Sequence, residues 1–231
     1  RMEDIKIIKK EIKNFFILKK NIKGKKILIT AGPTIEAIDP VRYMSNFSSG
    51  KQGYEIANCA YTYGAETILI TGPTNIEPPE VSKIIKVESA EQMFSESMNI
   101  CKKYNSIDIA FLTAAVSDWK INKINKKYKK NENIFKQIKF KQNKDILHII
   151  SNLKKNRPKI VCGFAAETNS LINNARKKLI NKNCDFIFAN KISNKFNPMG
   201  NDFNKISVIG KNNQKNWGKM TKKKIAEKNY S

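Results

Sequence analysis

The residues 46–53, Asn-Phe-Ser-Ser-Gly-Lys-Gln-Gly, combine two hydroxyls, a carboxamide, a lysine and two glycines just ahead of an amphipathic run. Backbone amides at the start of a helix, with its dipole behind them, favour an anion. In this reading Ser48, Ser49 and Gly50 supply the amides, while Gly50 and Gly53 omit Cβ atoms that would hold a phosphate away. The same string also fits a plain capped helix whose glycines serve turn and packing alone. It is neither common phosphate loop. The P-loop pattern fails because Gln52 follows Gly50-Lys51, and no G-x-G-x-x-G follows the first apolar run, which ends in Gly32-Pro33-Thr34. Downstream, Thr-Ala-Ala-Val-Ser-Asp (113–118) and Gly-Phe-Ala-Ala-Glu-Thr (163–168) place small residues where a ligand could approach the backbone. Asp118, a lysine-dense stretch after it, and the lone His148 complete the polar inventory. His148 sits in a helical stripe, which suits a structural or exposed role better than proton transfer.

Elements must position these groups. Residues 25–32, 66–73, 83–89, 107–118, 159–168 and 185–192 are short apolar runs of the kind that form buried parallel strands. Helical spacing separates them, at Ile56, Cys59, Ala60 and Tyr63, and again after Ser89, with Glu91 in the first turn. A further helix is predicted over 143–156, before Pro158, and another over 170–184. The stretch 119–142 reads as a mobile loop with a weak strand near residues 137–141. A strand over 205–210, a turn at 211–214 and a short final helix close the chain. Ile5, Ile8, Ile12 and Phe15 predict a lysine-rich N-terminal helix ended by Gly24. The alternation implies an α/β, Rossmann-like three-layer domain, its mainly parallel sheet covered by helices on both faces. Ligands in such folds bind at the carboxyl ends of the strands.

The 231 residues carry 44 basic and 20 acidic side chains, a formal charge of +24. The cations are nearly all lysine, spread evenly and accompanied by much Asn and Ile. That pattern fits a solvated surface better than the arginine forks and aromatic platforms of nucleic-acid recognition, and it would steer a small polyanion inward. No apolar run reaches the roughly 18 residues of a membrane span. Cys59, Cys101, Cys162 and Cys184 form no Cys-x-x-Cys pair and fall within apolar elements. Buried free thiols and a cytoplasmic setting are the expectation.

Taken together, Gly-Pro-Thr-Ile-Glu-Ala-Ile-Asp-Pro-Val-Arg-Tyr-Met-Ser-Asn-Phe-Ser-Ser-Gly-Lys-Gln-Gly (32–53), the 113–118 segment and the 163–168 segment resemble bacterial phosphopantothenate–cysteine ligases, in order and spacing, from about residue 25 into the final helix. The resemblance implies a Rossmann-like homodimer that joins 4′-phosphopantothenate to L-cysteine in coenzyme A biosynthesis. CTP would be converted to CMP and pyrophosphate through an acyl-cytidylate, with Mg²⁺ assisting. It also implies site residues. Asn46 matches the asparagine that contacts phosphopantothenate, with helix capping as its plainer role. Gly32, Ser48, Gly50 and Gly53 match nucleotide-lining positions. Ala114 and Ala115 match substrate-side backbone, and Asp118 matches a ligand-binding aspartate or merely ends a strand. Lys127, in Lys-Tyr-Lys-Lys, matches the catalytic lysine, although lysines at 123, 126, 129 and 130 compete for that register. Lys144, Asp145, Ile146 and Leu147 match an Asn-Pro-Asp-Ile nucleotide motif in which Lys144 replaces proline. Phe164, Lys178 and Lys182 match further nucleotide contacts; the two lysines are four apart on one helical face, as an ordinary exposed basic face would also have them. Which residues would hold the Mg²⁺ is left open.

The opening Arg-Met-Glu-Asp-Ile resembles the end of a flavin-dependent decarboxylase half that bacteria fuse ahead of this ligase. Residues 1–23 are then a helical linker and 24–231 the ligase domain, any FMN belonging to the other half. Two other classes stay in view. A Rossmann-like NAD(P)-dependent oxidoreductase would be revealed by nicotinamide titration, and a basic nucleic-acid-binding module by salt-dependent retention of duplex DNA.

Overall fold

The computed structural model describes residues 21–122, 125–127, 129, 138–193 and 201–230. Its centre is an eight-stranded sheet. In chain order the strands of that sheet are β1 (Lys26–Ala31), β4 (Glu66–Thr71), β5 (Lys83–Lys86), β6 (Ile109–Leu112), β9 (Ile160–Glu167), β10 (Phe186–Lys191), β11 (Phe203–Gly210) and β12 (Gln214–Thr221). Their spatial order is β12-β11-β10-β9-β6-β1-β4-β5. The run from β10 to β5 is parallel throughout, and only β11 and β12 are antiparallel. The parallel strands fall within the predicted apolar runs; β1, β4 and β6 are buried on both faces, whereas the edge strand β5 is largely exposed. Alternation along β1 assigns the faces: Ile27, Ile29 and Ala31 join one core and Leu28 joins the other.

The first core is covered by α1 (Lys51–Thr62) and α5 (Lys222–Asn229), the second by α2 (Ala90–Lys103), α3 (Ile146–Ser151) and α4 (Leu171–Lys182). Ser89 caps α2 in a reciprocal capping box with Gln92, as the sequence anticipated at Ser89. All four cysteines are buried free thiols. Burial pushes Cys59 up to about 12, which keeps that thiol inert. Among the described residues no helix is long and apolar enough to cross a membrane.

Three expectations need correction. The helix predicted over 143–156 stops at Ser151, because the Asn152 side chain takes the His148 carbonyl at 2.7 Å and Asn156 turns left-handed. In the lysine-dense stretch the weak strand expected near 137–141 stands at 140–142, but its partner strand was not expected. β7 (Trp119–Ile121) pairs antiparallel with β8 (Phe140–Gln142), Trp119 opposite Gln142. A second small hairpin, β2 (Ile35–Ala37) with β3 (Tyr43–Ser45), stands where no strand was predicted. The arms β2, β3 and β7 are only three residues each, too short for periodicity to announce. The predicted N-terminal helix lies outside the described residues except at its end, where Asn21 and Ile22 are helical and Gly24 has φ +72°.

Candidate active site

β1 has β4 on one side and β6 on the other, so the chain leaves in opposite directions from the middle of the sheet. Such a switch point opens a crevice at the carboxyl ends of the strands. Here that crevice is a cleft of about 580 Å³. Its floor is the ends of β1, β6, β9 and β10. The loop after β1 is tied to the loop after β6, Ala115 N donating to the Gly32 carbonyl at 2.9 Å. Ser117 N donates to Thr34 Oγ1 at 2.9 Å, which fixes the segment leading to Asp118. The Asn143 side chain and backbone then clamp that segment by donating to the carbonyls of Ser117 and Asp118.

Gly32, Asn46, Ser48, Gly50, Gly53, Ala114, Ala115, Asp118, Phe164 and Lys178 all line this one cleft. Residues 46–53 cross its mouth. Asn46 donates from Nδ2 to the Val116 carbonyl at 2.9 Å and reaches the Ala115 carbonyl at 3.5 Å. It does not cap α1; that position is Gly50, with φ +74° and no side-chain cap. Two amides of the loop meet serine hydroxyls at long range, Gly50 N to Ser48 Oγ at 3.3 Å and Lys51 N to Ser49 Oγ at 3.5 Å. These are weak bonds that an anionic oxygen could displace. Gly53 answers to packing: a Cβ there would sit 2.6 Å from the Ala31 Cβ and 2.5 Å from Thr113 Oγ1, so its absence lets α1 lie close on β1. The Cβ missing at Gly50 would likewise meet the Thr74 side chain at 2.8 Å. Room for phosphate is therefore not what either glycine directly provides.

Phe164, half-buried, stacks on Phe188 with centroids 5.1 Å apart and planes 17° from parallel. Lys178 Nζ donates to the Phe164 carbonyl at 2.9 Å. Burial holds this ammonium below its ordinary value, a cost that a neighbouring polyanion would offset.

Other expected site residues lie outside the cleft lining. Lys144 pairs with Glu91 at 2.8 Å and stands 4.4 Å over the Phe94 ring. Asp145 caps α3 through the His148 amide at 2.8 Å and is ion-paired with Lys182. Ile146 is buried core, and Leu147 packs where Gly163 leaves space. Lys127 is exposed; of the competing lysines, Lys123 and Lys130 fall outside the described residues. His148 is exposed, its Nδ1 within 3.2 Å of the Asn181 carbonyl, and takes no part in the cleft. Sequence reasoning did not single out Lys51, Asn190, Asn204 or Lys222, which also line the cleft. Nothing in the string distinguishes Lys51 and Lys222 from 42 other basic residues; only topology brings them here.

A family model described as DNA/pantothenate metabolism flavoprotein C-terminal domain matches residues 22–230. The chain is 43% identical over 230 residues to the coenzyme A biosynthesis bifunctional protein CoaBC of Borreliella burgdorferi, covering 98% of this chain and 57% of that protein. It thus spans little more than half the length of that curated relative. Among solved structures, the C-terminal domain of a coenzyme A biosynthesis bifunctional protein CoaBC superposes with a TM-score of 0.73 at 36% identity, covering 90% of this chain and 93% of the other. A Cab2 mutant in complex with phosphopantothenate-cysteine shares the fold at 13% identity, with a TM-score of 0.69, covering 100% of this chain and 95% of that one.

Proposed function

The chain belongs to the DNA/pantothenate metabolism flavoprotein C-terminal domain family, and from that premise we propose that it joins 4′-phosphopantothenate to L-cysteine at the expense of CTP. The observation that carries this reading is the convergence of Asn46, the 48–53 loop, Ala114, Ala115, Asp118, Phe164 and Lys178 on one cleft. A carboxylate is a poor acyl donor because its leaving group would be an oxide. In the proposed reaction it attacks the α-phosphorus of CTP and expels pyrophosphate. The cysteine amine then adds to the acyl carbon and CMP leaves. The first step crowds a carboxylate against a triphosphate, so it calls for cations and amide donors more than for a strong base. Lys178 and the 48–50 amides are the groups placed for that. Asn46, its Nδ2 anchored on Val116, keeps Oδ1 as an acceptor for the attacking amine. Lys127 would supply further positive charge from the lysine-dense segment.

Among the described residues no group of three or more His, Cys, Asp or Glu could hold a metal ion. That suits Mg²⁺ carried largely on the triphosphate's own oxygens, with Asp118 the carboxylate lining the cleft. The magnesium would neutralise developing charge on the phosphates. A homodimer and a cytoplasmic setting are part of the proposal. The two hairpins pack together and expose Val41, Tyr43, Trp119 and Phe140, and the loop after β3 leaves Phe47 90% exposed, apolar surface that a second copy would cover. Residues 24–231 would be the ligase unit, and 1–23 its link to a decarboxylase half carrying any FMN, in keeping with the bifunctional relative. The test supplies phosphopantothenate, cysteine and either CTP or ATP and follows pyrophosphate. Release that requires phosphopantothenate and prefers CTP is expected; release with nucleotide alone, or none, would defeat the reading.

A further inference from the structure

Thr74, in the loop after β4, does not line the cleft but touches two residues that do. Gly32 and Gly50 both have φ +74°, a conformation that glycine adopts without steric restraint of its own. A Cβ on Gly32 would lie 3.0 Å from Thr74 Cγ2, and one on Gly50 would lie 2.8 Å from the same methyl. The Cβ on Gly50 would also stand 3.5 Å from the Gly32 nitrogen. One methyl therefore fills the space that side chains on both glycines would need, and it wedges the loop after β1 against the start of α1. The hydroxyl of the same residue is engaged elsewhere. Tyr54 Oη, from α1, lies 2.9 Å from Thr74 Oγ1 and 2.8 Å from Thr71 Oγ1 at the end of β4. Thr74 Oγ1 donates to the Ile76 carbonyl at 2.9 Å, and Thr71 Oγ1 to the Gly72 carbonyl at 3.0 Å. Three hydroxyl protons thus serve four contacts, so one contact always lacks a proton. Without the Thr74 hydroxyl, two protons would serve the two contacts that remain.

Methyl and hydroxyl therefore have separate consequences. The 48–50 segment presents the amides that a triphosphate would meet, and its own serines hold those amides only at 3.3 and 3.5 Å. A glycine at positive φ does not fix their direction by itself. The contact behind Gly50 does. We propose that Thr74 is a positioning residue for the nucleotide: its methyl, lodged between Gly32 and Gly50, aims the 48–50 amides at the triphosphate, and its hydroxyl serves stability alone. This inference rests on the reading above that the loop receives a triphosphate. Thr74 touches no ligand; it acts through the two glycines, keeping the donors in place before the anion arrives.

The test compares wild type with two variants that divide the side chain. Thr74→Ser keeps the hydroxyl and removes the methyl, whereas Thr74→Val keeps the methyl and removes the hydroxyl. Each gives up one small contact, so both should melt about 2–4 °C below wild type. Binding should separate them. In Thr74→Ser, KM for CTP and the calorimetric Kd for inorganic tripolyphosphate should rise about five- to tenfold, as for weakened amide contacts. KM for phosphopantothenate should stay as it is. Thr74→Val should bind CTP and tripolyphosphate as wild type does. A merely structural role would instead make affinity follow melting temperature in both variants. Equal affinities in the two variants, weaker binding in the valine variant, or an equal rise in KM for CTP and phosphopantothenate would overturn the proposal. If wild type releases no pyrophosphate but binds tripolyphosphate, the ligase reading fails, and the same comparison of affinities still decides the role of Thr74. If wild type binds neither CTP nor tripolyphosphate, the loop receives no triphosphate and the proposal is refuted.

Discussion

Two groups of residues were expected to bind ligand, and the fold treats them differently. Asn46, Gly32, the 48–53 loop, Ala114, Ala115, Asp118, Phe164 and Lys178 meet at the strand ends. Lys144, Asp145 and Lys182 sit beside that cleft but spend their charges on partners within the protein, Glu91 for the first and each other for the rest. The first group is held by backbone: sheet register, the Gly32–Ala115 bond and two carbonyls on Asn46. It is preorganised, which is what an electrostatic catalyst needs. The second group is held by side-chain ion pairs that are half exposed, weak and exchangeable. A nucleotide would have to compete for these lysines, whereas it would find the first group in place.

That contrast predicts its largest effect at Asn46. Removing the carboxamide in Asn46→Ala should lower ligation by about a hundred- to a thousandfold, the size expected for losing a preorganised polar contact. Stability should barely change, because the side chain is exposed and its loss frees only carbonyls at the cleft wall. Single-turnover product formation with denaturation curves separates the two. A variant that melts early and recovers rate when cooled would mean that Asn46 organises the loop rather than the reaction.

Lys178 should show an intermediate effect. Its ammonium is half-buried and bonded to the Phe164 carbonyl. In Lys178→Met, KM for CTP should rise about tenfold, as for one charge-assisted contact, with KM for the acid unaltered. Equal shifts for both substrates would mean that Lys178 does not distinguish the nucleotide from the acid.

How far the string itself revealed this site depends on what holds each residue. The parallel strands were legible because burial on both faces leaves unbroken apolar runs such as Ile27–Ala31. The cleft-facing residues at the ends of those runs were legible for the same reason: once a strand is placed, so is its carboxyl end. Gly53 shows the limit. It lines the cleft, but what requires a glycine there, contact with Ala31 and Thr113, is visible only in the packing of α1 on β1. The ligand assignments came from family resemblance rather than spacing. Lys222 was invisible, since its burial depends on contacts with α1, more than 150 residues away in the chain. The arms β2, β3 and β7 escaped because three residues carry no period, and β8 was legible only as a weak strand.

The smallest expected effect belongs to the paired group and is the sharpest test of the contrast. Glu91 receives hydrogen bonds from Lys144 at 2.8 Å and Lys120 at 3.2 Å, which hold its carboxyl below the ordinary range. A depressed carboxylate stabilises the fold above its unfolded pKa, and that contribution is lost as pH falls through the folded value. Because Glu91 is 42% and Lys144 51% exposed, solvent screening keeps the pair below about 1 kcal/mol. Lys144→Gln should therefore cost a few tenths of a kcal/mol near neutral pH, less at high salt and almost nothing below the carboxylate range. If Lys144 only anchors Glu91, KM for CTP will follow wild type at every salt concentration. If a triphosphate recruits it, KM will rise severalfold while stability hardly moves, and the paired flank becomes part of the nucleotide site through an exchange of partners.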